Sequence, residues 1–371
     1  MEFTVNKNDL VAELSLSQGV VEKKTTIPIL SNVLLEASGD RVSLTATDLE
    51  LGIRCSCPAR VKKEGAGTVP ARKLLDYVRL LPEGDLQMKF LENHWANITS
   101  GRSRTRMAGM SRESFPELPA MPATMAEIPV RTLSAMIART AFAISMEESR
   151  FTLNGALLVM RPENLTMVAT DGHRLAFVQS LPGENGRVEQ TFRALIPKKA
   201  LAELQKLAEG DGDTKATFAG DDNHLFFQVG HRLLITRKLT GNFPDYERVL
   251  PKDHNLSAKL QKDEIRAAIE RVAQFADERS RAIRVHFSNG EVKVFSSSVE
   301  MGESEESVTS EYDGPDLEIG FNAQYLLDFL RAIPQDRVSF ELKDQKSAGE
   351  MRPAGESTPD QYRYVVMPMR I

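Results

Sequence analysis

The chain has 371 residues, of which 41% are hydrophobic and 27% charged, a composition typical of a folded protein with several hydrophobic cores. Its 47 Lys and Arg residues and 52 Asp and Glu residues give a formal net charge of −5, which argues against a generally basic protein that coats nucleic acid but allows a basic face on an acidic body. The two cysteines, Cys55 and Cys57, alternate along a predicted strand, so a disulfide scaffold and a four-cysteine zinc site are excluded. No apolar run approaches the ~20 residues of a membrane span, and we expect a soluble, cytoplasmic protein without a membrane partner.

The predicted elements fall into one order that occurs three times along the chain. Each copy opens with an amphipathic helix, continues through a hairpin of alternating strands, and adds a second amphipathic helix followed by a further strand. The opening helices are predicted over 8–16, 130–144 and 262–275. The second helices follow Pro70, Pro197 and Asn322, which are 127 and 125 residues apart.

A tripeptide in the hairpins supports the same period. Ala46-Thr47-Asp48 in the first copy recurs as Ala169-Thr170-Asp171 in the second, 123 residues later, whereas the third copy keeps the alternation and the turn without the tripeptide. Pro-rich sequence over 115–123 separates the first two copies. We therefore predict three similar domains, at 1–122, 125–250 and 254–371.

The predicted fold class is α+β, with two helices and antiparallel sheets in each domain. Sheets with open ends need their edges protected, and repeated units can do this by pairing end strands with their neighbours until a ring closes. Three units rarely complete a wide ring, so closure requires a second chain.

The predicted helices carry clusters of cations opposite their apolar faces. Arg72, Lys73 and Arg79 lie on one second helix, and Lys198 and Lys199 begin the next. Acidic residues occur on the same helices, so a mixed solvated surface is one interpretation. The other is that the helices line one lumen and hold a duplex through its phosphates, with no sequence readout.

Five segments of the chain resemble the bacterial DNA polymerase III beta subunit family, the sliding clamps. They are 27–32, 153–155, 169–175, 241–251 and 364–370, in the family's order and spacing, with Thr-Asp-Gly-His-Arg-Leu and the terminal Met-Pro-Met-Arg as the most specific motifs. The resemblance implies a head-to-tail homodimeric ring of six domains, the DNA clamp fold. It also implies a processivity subunit that encircles duplex DNA and has no catalytic site of its own.

The same resemblance implies the partners and their binding pocket. The partners are the polymerase III alpha subunit, the clamp loader, and other polymerases and repair proteins that carry a short peptide rich in Gln, Leu and Phe. The pocket lies between the second and third domains, where apolar residues, with adaptable methionines, accept the peptide and polar groups orient it. Carried over by position, its residues are Leu153, Thr170, Gly172, His173, Arg174, Leu175, Pro244, Arg248, Val249, Met351, Val365, Val366, Met367, Pro368, Met369 and Arg370. Ser280 departs from the bulkier apolar residue that relatives have near this pocket.

Two further sets of residues follow. By the resemblance, the DNA contacts are Lys23, Lys24, Arg72, Arg150, Phe151, Lys198 and Lys199. By charge, a basic strand of the first domain faces an acidic strand of the third across the dimer contact, which fixes register and polarity. That interface comprises Arg102, Arg104, Arg106, Met107, Glu300, Glu303, Glu305 and Glu306, and Thr105 and Met107 stand where relatives are bulkier.

Two alternatives stay open. An enzyme could use Asp171 and His173, but no nucleophile lies nearby in the sequence, no histidine spacing suits a metal, and no cofactor motif is present. A diverged clamp paralogue acting in repair or resistance would have the same motifs, and the sequence does not separate it from the replicative clamp.

Overall fold

The computed structural model describes residues 1–21, 26–181, 188, 190–208, 214–299, 301–355 and 360–370. Within them, the three predicted repeats each contain eight strands and two helices of at least ten residues. No helix among these residues is long and apolar enough to span a bilayer.

The first repeat has its two helices near the start and in the middle. The helices are α1 (Lys7–Ser17) and α2 (Ala71–Leu80). The strands are β1 (Glu2–Asn6), β2 (Asn32–Ser38), β3 (Arg41–Thr47), β4 (Leu51–Lys63), β5 (Gly65–Pro70), β6 (Asp85–Phe90), β7 (Trp95–Ser100) and β8 (Ser103–Ala108).

The second repeat adds a short helix near its end. Its helices are α3 (Val130–Thr140), α4 (Lys198–Leu207) and α5 (Tyr246–Val249). Its strands are β9 (Ala126–Pro129), β10 (Gly155–Met160), β11 (Leu165–Thr170), β12 (Arg174–Ser180), β13 (Phe192–Pro197), β14 (Lys215–Gly220), β15 (His224–Val229) and β16 (Arg232–Arg237).

The third repeat restores the order of the first. Its helices are α6 (Lys262–Val272) and α7 (Ala323–Ala332). Its strands are β17 (Leu256–Gln261), β18 (Ala282–Ser288), β19 (Glu291–Ser298), β20 (Gly302–Glu311), β21 (Leu317–Asn322), β22 (Arg337–Leu342), β23 (Gly349–Ala354) and β24 (Gln361–Val366).

Hydrogen bonds at the helix starts repeat with the sequence. In each repeat, the first residue of the opening helix donates its N–H to the carbonyl that directly precedes the strand after the second helix. The donors are Lys7, Val130 and Lys262, and the distances are 3.0, 3.0 and 2.8 Å. The second helices begin at residues 71, 198 and 323, each directly after the predicted start marker, Pro70, Pro197 or Asn322. The structure thus confirms the repeated fold.

Packing divides the described chain into two compact units, and the division runs through the second repeat. The first unit contains Met1–Ser134 and Lys199–Lys238, and its sheet has the strand order β8-β7-β6-β1-β4-β16-β15-β14-β9, with β2, β3 and β5 attached to one side. The second unit has the order β13-β10-β11-β12-β24-β23-β22-β17-β20-β19-β18-β21. All of these pairings are antiparallel, as predicted.

The helices cover the sheets because each presents one apolar face. Leu10 and Leu14 of α1 and Leu74 and Val78 of α2 are fully buried in one hydrophobic cluster with strand residues such as Leu44. In the second unit, Phe329 of α7 stacks on Tyr364 of β24, with ring centroids 5.0 Å apart. The opposite helix faces carry the cations predicted from the sequence, of which Arg72, Lys73, Arg79 and Lys199 are exposed and Lys198 is half-buried.

Candidate functional site

The turn between β11 and β12 is built by the side chains of the repeated tripeptide. Thr170 Oγ1 accepts the N–H of Gly172 at 3.1 Å and donates to the carbonyl of Arg174 at 2.6 Å. Asp171 Oδ1 accepts the N–H groups of His173 and Arg174, at 2.9 and 3.1 Å. These bonds replace the backbone pairing that ends at the turn, so its conformation is well defined.

Arg174 lies beneath this turn and is only 9% exposed. Its Nε donates to Asp171 Oδ2 at 3.0 Å, and its Nη2 donates to the Phe142 carbonyl at 2.7 Å. Its Nη1 donates to Asp328 Oδ2 at 2.6 Å and to Tyr364 Oη at 3.4 Å. Although burial alone would lower it, the pKa of Arg174 is raised, because Tyr364 and the two carboxylates stabilise its charged form. We infer that Arg174 supports the turn from inside the protein.

The end of the chain is held beside this turn. Strand β24 lies between β12 and β23, and Met367 extends the pairing by donating its N–H to the carbonyl of His173 at 2.9 Å. Two residues later, Met369 donates its N–H to the carbonyl of Gly320 at 2.8 Å. The segment after β24 therefore runs across the surface with Met367 48% exposed and Met369 half-buried.

An apolar floor connects this segment with helix α5. Leu175 and Val365, which face each other on β12 and β24, pack in one cluster with Tyr246 and Leu250. Pro244, Arg248 and Val249 lie beside them on the exposed side of α5 and the loop before it. The structure thus groups predicted pocket residues of the second and third repeats within the second unit, whereas the Arg174 side chain points to the other face of β12, toward Asp328 of α7.

The remaining predicted pocket residues differ in how accessible they are. Leu153 is 9% exposed and follows Thr152, whose methyl group packs against Gly241 of the loop before α5. Met351 and Val366 are each 1% exposed, as is Val365. A bound peptide would meet the exposed residues first: Gly172, His173, Pro244, Arg248, Val249, Met367 and Arg370, with Pro368 and Met369 partly covered.

Asp171 and His173 do not form the arrangement of a catalytic dyad. The Asp171 carboxylate accepts two backbone N–H groups and the Nε of Arg174. No hydrogen bond joins it to the imidazole of His173 among the described contacts, and no cluster of three metal-ligating side chains occurs in the described ranges. The Asp171 carboxylate stabilises the turn and forms an ion pair with Arg174, and both roles are structural.

Three of the predicted DNA contacts lie at the starts of the second helices. Arg72 is exposed at the start of α2 and lines a groove of about 580 Å³ with Ser15, Gln18 and Arg79. The ammonium group of Lys199 already has hydrogen-bond partners within the chain, because its Nζ lies 2.5 Å from Asp48 Oδ2 and 3.2 Å from the Val20 carbonyl.

Lys198, the first residue of α4, is half-buried. Burial lowers its pKa, and the charge of Arg174 lowers it further.

Arg150, one of the predicted DNA contacts, lies against the turn. Its Nη1 donates to the carbonyl of Asp171 at 2.7 Å and covers Gly172, where an added Cβ would lie only 2.8 Å from that nitrogen. Phe151, next in sequence, is 71% exposed. Lys23 and Lys24, the other predicted DNA contacts, lie outside the described residues.

Two strand edges carry the predicted dimer contacts. Within the described chain, β8 pairs only with β7, and the part of β20 over 302–309 pairs only with β19. Arg104 and Arg106 are exposed on one face of β8, after Arg102 in the preceding turn, whereas Met107 points inward and is 4% exposed.

On the acidic strand, the glutamates divide between two faces. Glu303 and Glu305 are exposed, but Glu306 faces the other way and pairs with Arg271 of α6 through two hydrogen bonds of 2.7 and 2.8 Å. Glu300 lies outside the described residues. Glu303 and Glu305 remain the exposed candidates for the dimer contact, and Glu305 Oε1 also lies 3.9 Å from Lys293 Nζ of the same chain.

Sequence patterns do not reveal the residues that hold Arg174 in place. Phe142, Asp328 and Tyr364 bind it directly, and its guanidinium stacks on the Tyr325 ring at 4.3 Å. The only sequence signal was the spacing of Tyr325 and Asp328 on one face of the predicted helix, which by itself indicates nothing about a partner more than 150 residues away.

Comparisons with known proteins agree along the whole chain. Family models match in order: DNA polymerase III beta subunit, N-terminal domain, over residues 1–119; the central domain over 127–245; and the C-terminal domain over 247–370. Curated relatives named beta sliding clamp include those of Pseudomonas aeruginosa, 36% identical, and Escherichia coli, 34% identical, each covering 100% of both chains.

Solved structures of the same kind are similar over the full length. A sliding clamp of Pseudomonas aeruginosa bound to griselimycin has a TM-score of 0.94 at 35% identity, covering 100% of both chains. The DNA polymerase sliding clamp of Bacillus subtilis has a TM-score of 0.93 at 25% identity, covering 100% of this chain and 99% of that one.

Proposed function

The chain belongs to the family of DNA polymerase III beta subunits, the beta sliding clamps, and we propose that two copies join head to tail through β8 of one and β20 of the other. Its function is that of a DNA sliding clamp, a processivity subunit without a catalytic site of its own. DNA, the polymerase and a second copy of the chain are the partners that membership of the family implies. We place its action in the cytoplasm, where the chromosome is copied.

The observation that carries the dimer proposal is a pair of strand edges that have no neighbouring strand among the described residues. A strand of six residues with unpaired N–H and C=O groups favours addition of another strand, and β20 offers such an edge over 302–309. The exposed side chains on these strands have opposite charge, with Arg104 and Arg106 on β8 and Glu303 and Glu305 on β20. Backbone pairing would supply the contact, and the charges would select its register and exclude pairing of two identical edges.

Contacts with the duplex are proposed for cations at the helix starts, of which Arg72 is exposed and Lys198 half-buried. Arg72 and Lys198, together with Lys23 and Lys24, would meet phosphates and read no bases. Because a clamp must move along DNA, these contacts should be individually weak and sensitive to salt. The aromatic ring of Phe151 and the guanidinium of Arg150 are suited to unpaired template bases, which stack on flat side chains.

The surface around the terminal segment is proposed to bind the peptides of partner proteins. Met367, Val249 and Pro244 give an exposed apolar path over a floor of Leu175 and Val365. His173 and Arg248 at its margin can orient a polar group of the peptide. The proposed users of this site are the polymerase III alpha subunit, the clamp loader, and other polymerases and repair proteins.

The experiment that tests the function uses topology. The protein is loaded onto a nicked circular plasmid by the clamp loader and passed over a gel-filtration column at high salt. A ring should remain on the circle and leave once a restriction enzyme linearises it, whereas a protein held by charge alone should leave the uncut circle as the salt is raised. Loss from the uncut circle would contradict the proposal.

A further inference from the structure

A cavity of about 320 Å³ lies beside the terminal segment, on the third repeat, and we call it the terminal cavity. Its floor follows one row of residues across the sheet, in which Phe295 of β19 pairs with Arg284 of β18, Arg284 pairs with Gly320 of β21, and Gly320 bridges to Met369. The complete lining is Asp277, Ser280, Ala282, Arg284, Phe295, Ser296, Ser297, Met369 and Arg370. The volume is at the lower end of the range for ligand sites.

The cavity exists because several of the side chains that line it are small. Ser280, Ala282 and Ser297 line it where larger side chains would fill the space. The wall is also firmly held, because Asp277 Oδ1 accepts the N–H of Ser280 at 2.8 Å and Asn322 Nδ2 donates to the Ser280 carbonyl at 3.3 Å. A preformed cavity costs a ligand less ordering than one that must open first.

Its lining defines the chemistry of an occupant. Phe295 and Met369, both half-buried, offer apolar contact. Arg284 is exposed and reaches Glu318 only at 4.0 Å, and Arg370 is exposed without an ion pair to any residue that the structure describes. The one acidic group, Asp277, directs its Oδ1 to the backbone N–H groups of Arg279 and Ser280. An apolar side chain next to a carboxylate fits this combination.

We propose that the terminal cavity binds one further residue of a partner's peptide, with an apolar side chain and an adjoining acidic group, beyond the part that the terminal segment holds. The inference rests on the proposed function, because Met369 and Arg370 belong both to the proposed peptide surface and to the cavity. Continuity between the two surfaces is what selects a peptide extension as the occupant, rather than a free small molecule.

The test compares peptides that differ only in the extension. The core probe is a synthetic peptide of Gln, Leu and Phe residues, and two extended probes add Phe-Asp at its carboxyl end or Asp-Phe at its amino end. One extended probe should bind the intact protein about tenfold more tightly than the core, since a largely buried Phe contributes about 1.5 kcal/mol or more. Ser280→Phe fills the cavity and should abolish that gain while leaving the core peptide's affinity within about twofold.

Matched variants separate the outcomes. Asn289→Phe adds the same bulk at the exposed turn between β18 and β19 and should keep the gain. If both extended probes bind like the core, or if Ser280→Phe keeps the gain, the terminal cavity is not the site and the proposal is overturned. If the core peptide itself does not bind, the proposed peptide surface is wrong, and the inference is overturned with it.

One further comparison tests Ile371, which follows Arg370 of the cavity lining and lies outside the described residues. The same titrations are repeated with a chain shortened by Ile371. An equal gain for the full-length and shortened chains supports the proposal. A gain seen only after Ile371 is removed would assign the cavity to the chain's own terminus and overturn it.

Discussion

Leu49 and Gly172 occupy the same position in two copies of one turn. Both have a positive φ, 79° at Leu49 and 92° at Gly172. In the first copy, Thr47 Oγ1 accepts the N–H of Leu49 at 2.9 Å and Asp48 Oδ1 accepts the N–H of Leu51 at 2.6 Å, as Thr170 and Asp171 do in the second. The tripeptide thus forces a left-handed residue at both places, and only the second copy has a glycine there.

The turn gives a paired stability prediction. Leu49→Gly should raise the free energy of unfolding by about 0.5–1 kcal/mol, because it relieves a left-handed side chain that is already half exposed. Gly172→Leu should lower it by about 1–3 kcal/mol, since a Cβ there would also displace Arg150. Urea unfolding followed by circular dichroism measures both, and a loss of stability in Leu49→Gly would show that the strain is absent.

Substitutions of Arg174 and Arg248 should distinguish a residue that supports the peptide surface from one that contacts the peptide. Arg174→Ala leaves Asp171 and Asp328 without their buried cation and should cost about 3–5 kcal/mol of stability. Arg248→Ala removes an exposed ion pair with Asp245 and should change stability by at most about 0.5 kcal/mol while weakening peptide binding. Calorimetric titration and urea unfolding distinguish the two, and unchanged stability in Arg174→Ala would contradict the assignment.

The dimer contact is tested by reversing charge on one strand. Arg104→Glu with Arg106→Glu should leave a monomer in sedimentation velocity, because glutamates would then face Glu303 and Glu305. The control is Arg60→Glu, on β4 of the same sheet but away from its edge.

A second reversal provides the rescue. Adding Glu303→Arg and Glu305→Arg to the monomeric variant should restore the dimer, because the charges are again opposite. A dimer that survives the first double substitution, or a failure of this rescue, would count against these pairs.

Lys198 and Lys199 are adjacent but should behave differently. Lys199→Ala should lower the free energy of unfolding by about 1–3 kcal/mol, because it removes the cation from Asp48, whose side chain is 6% exposed. Lys198→Ala should leave stability unchanged and reduce the slope of log binding constant against log salt by about 0.9 if it meets one phosphate. Gel-shift titrations on short duplexes at several salt concentrations provide that slope, and equal slopes for wild type and Lys198→Ala would remove this residue from the DNA surface.

The fold was largely predictable because the repeats carry local signals. Pro70, Pro197 and Asn322 mark helix starts, and Asn322 does so by accepting the N–H groups of the next turn with its side chain. The C-terminal ends of the opening helices were less predictable. The opening helices were expected to run to Ile144 and Phe275, but they change to a 3₁₀ turn after Thr140 and Val272, a difference too short for apolar periodicity to resolve.

The sequence predicts which segments form the candidate site. It does not predict which of their side chains are exposed or what those side chains contact. Alternation along a strand could not show that Met351 is buried while Met367 is exposed, because that depends on which strands lie alongside. The partners of Arg174 come from α3's following turn, α7 and β24, and no local pattern joins them. Charge alone assigns Glu306 to the dimer contact, whereas in the structure Glu306 pairs with Arg271 of the same chain.

The length of strand β4 makes the connection between the first two repeats stiff. Its 13 residues pair with β1 near one end and with β16 near the other, so one sheet crosses from the first repeat to the second without interruption. β12 and β24 join the second repeat to the third in the same way, through six residue pairs. Neither joint can bend like a hinge without breaking several backbone hydrogen bonds together, so each of these two sheets holds the repeats it joins in a fixed register.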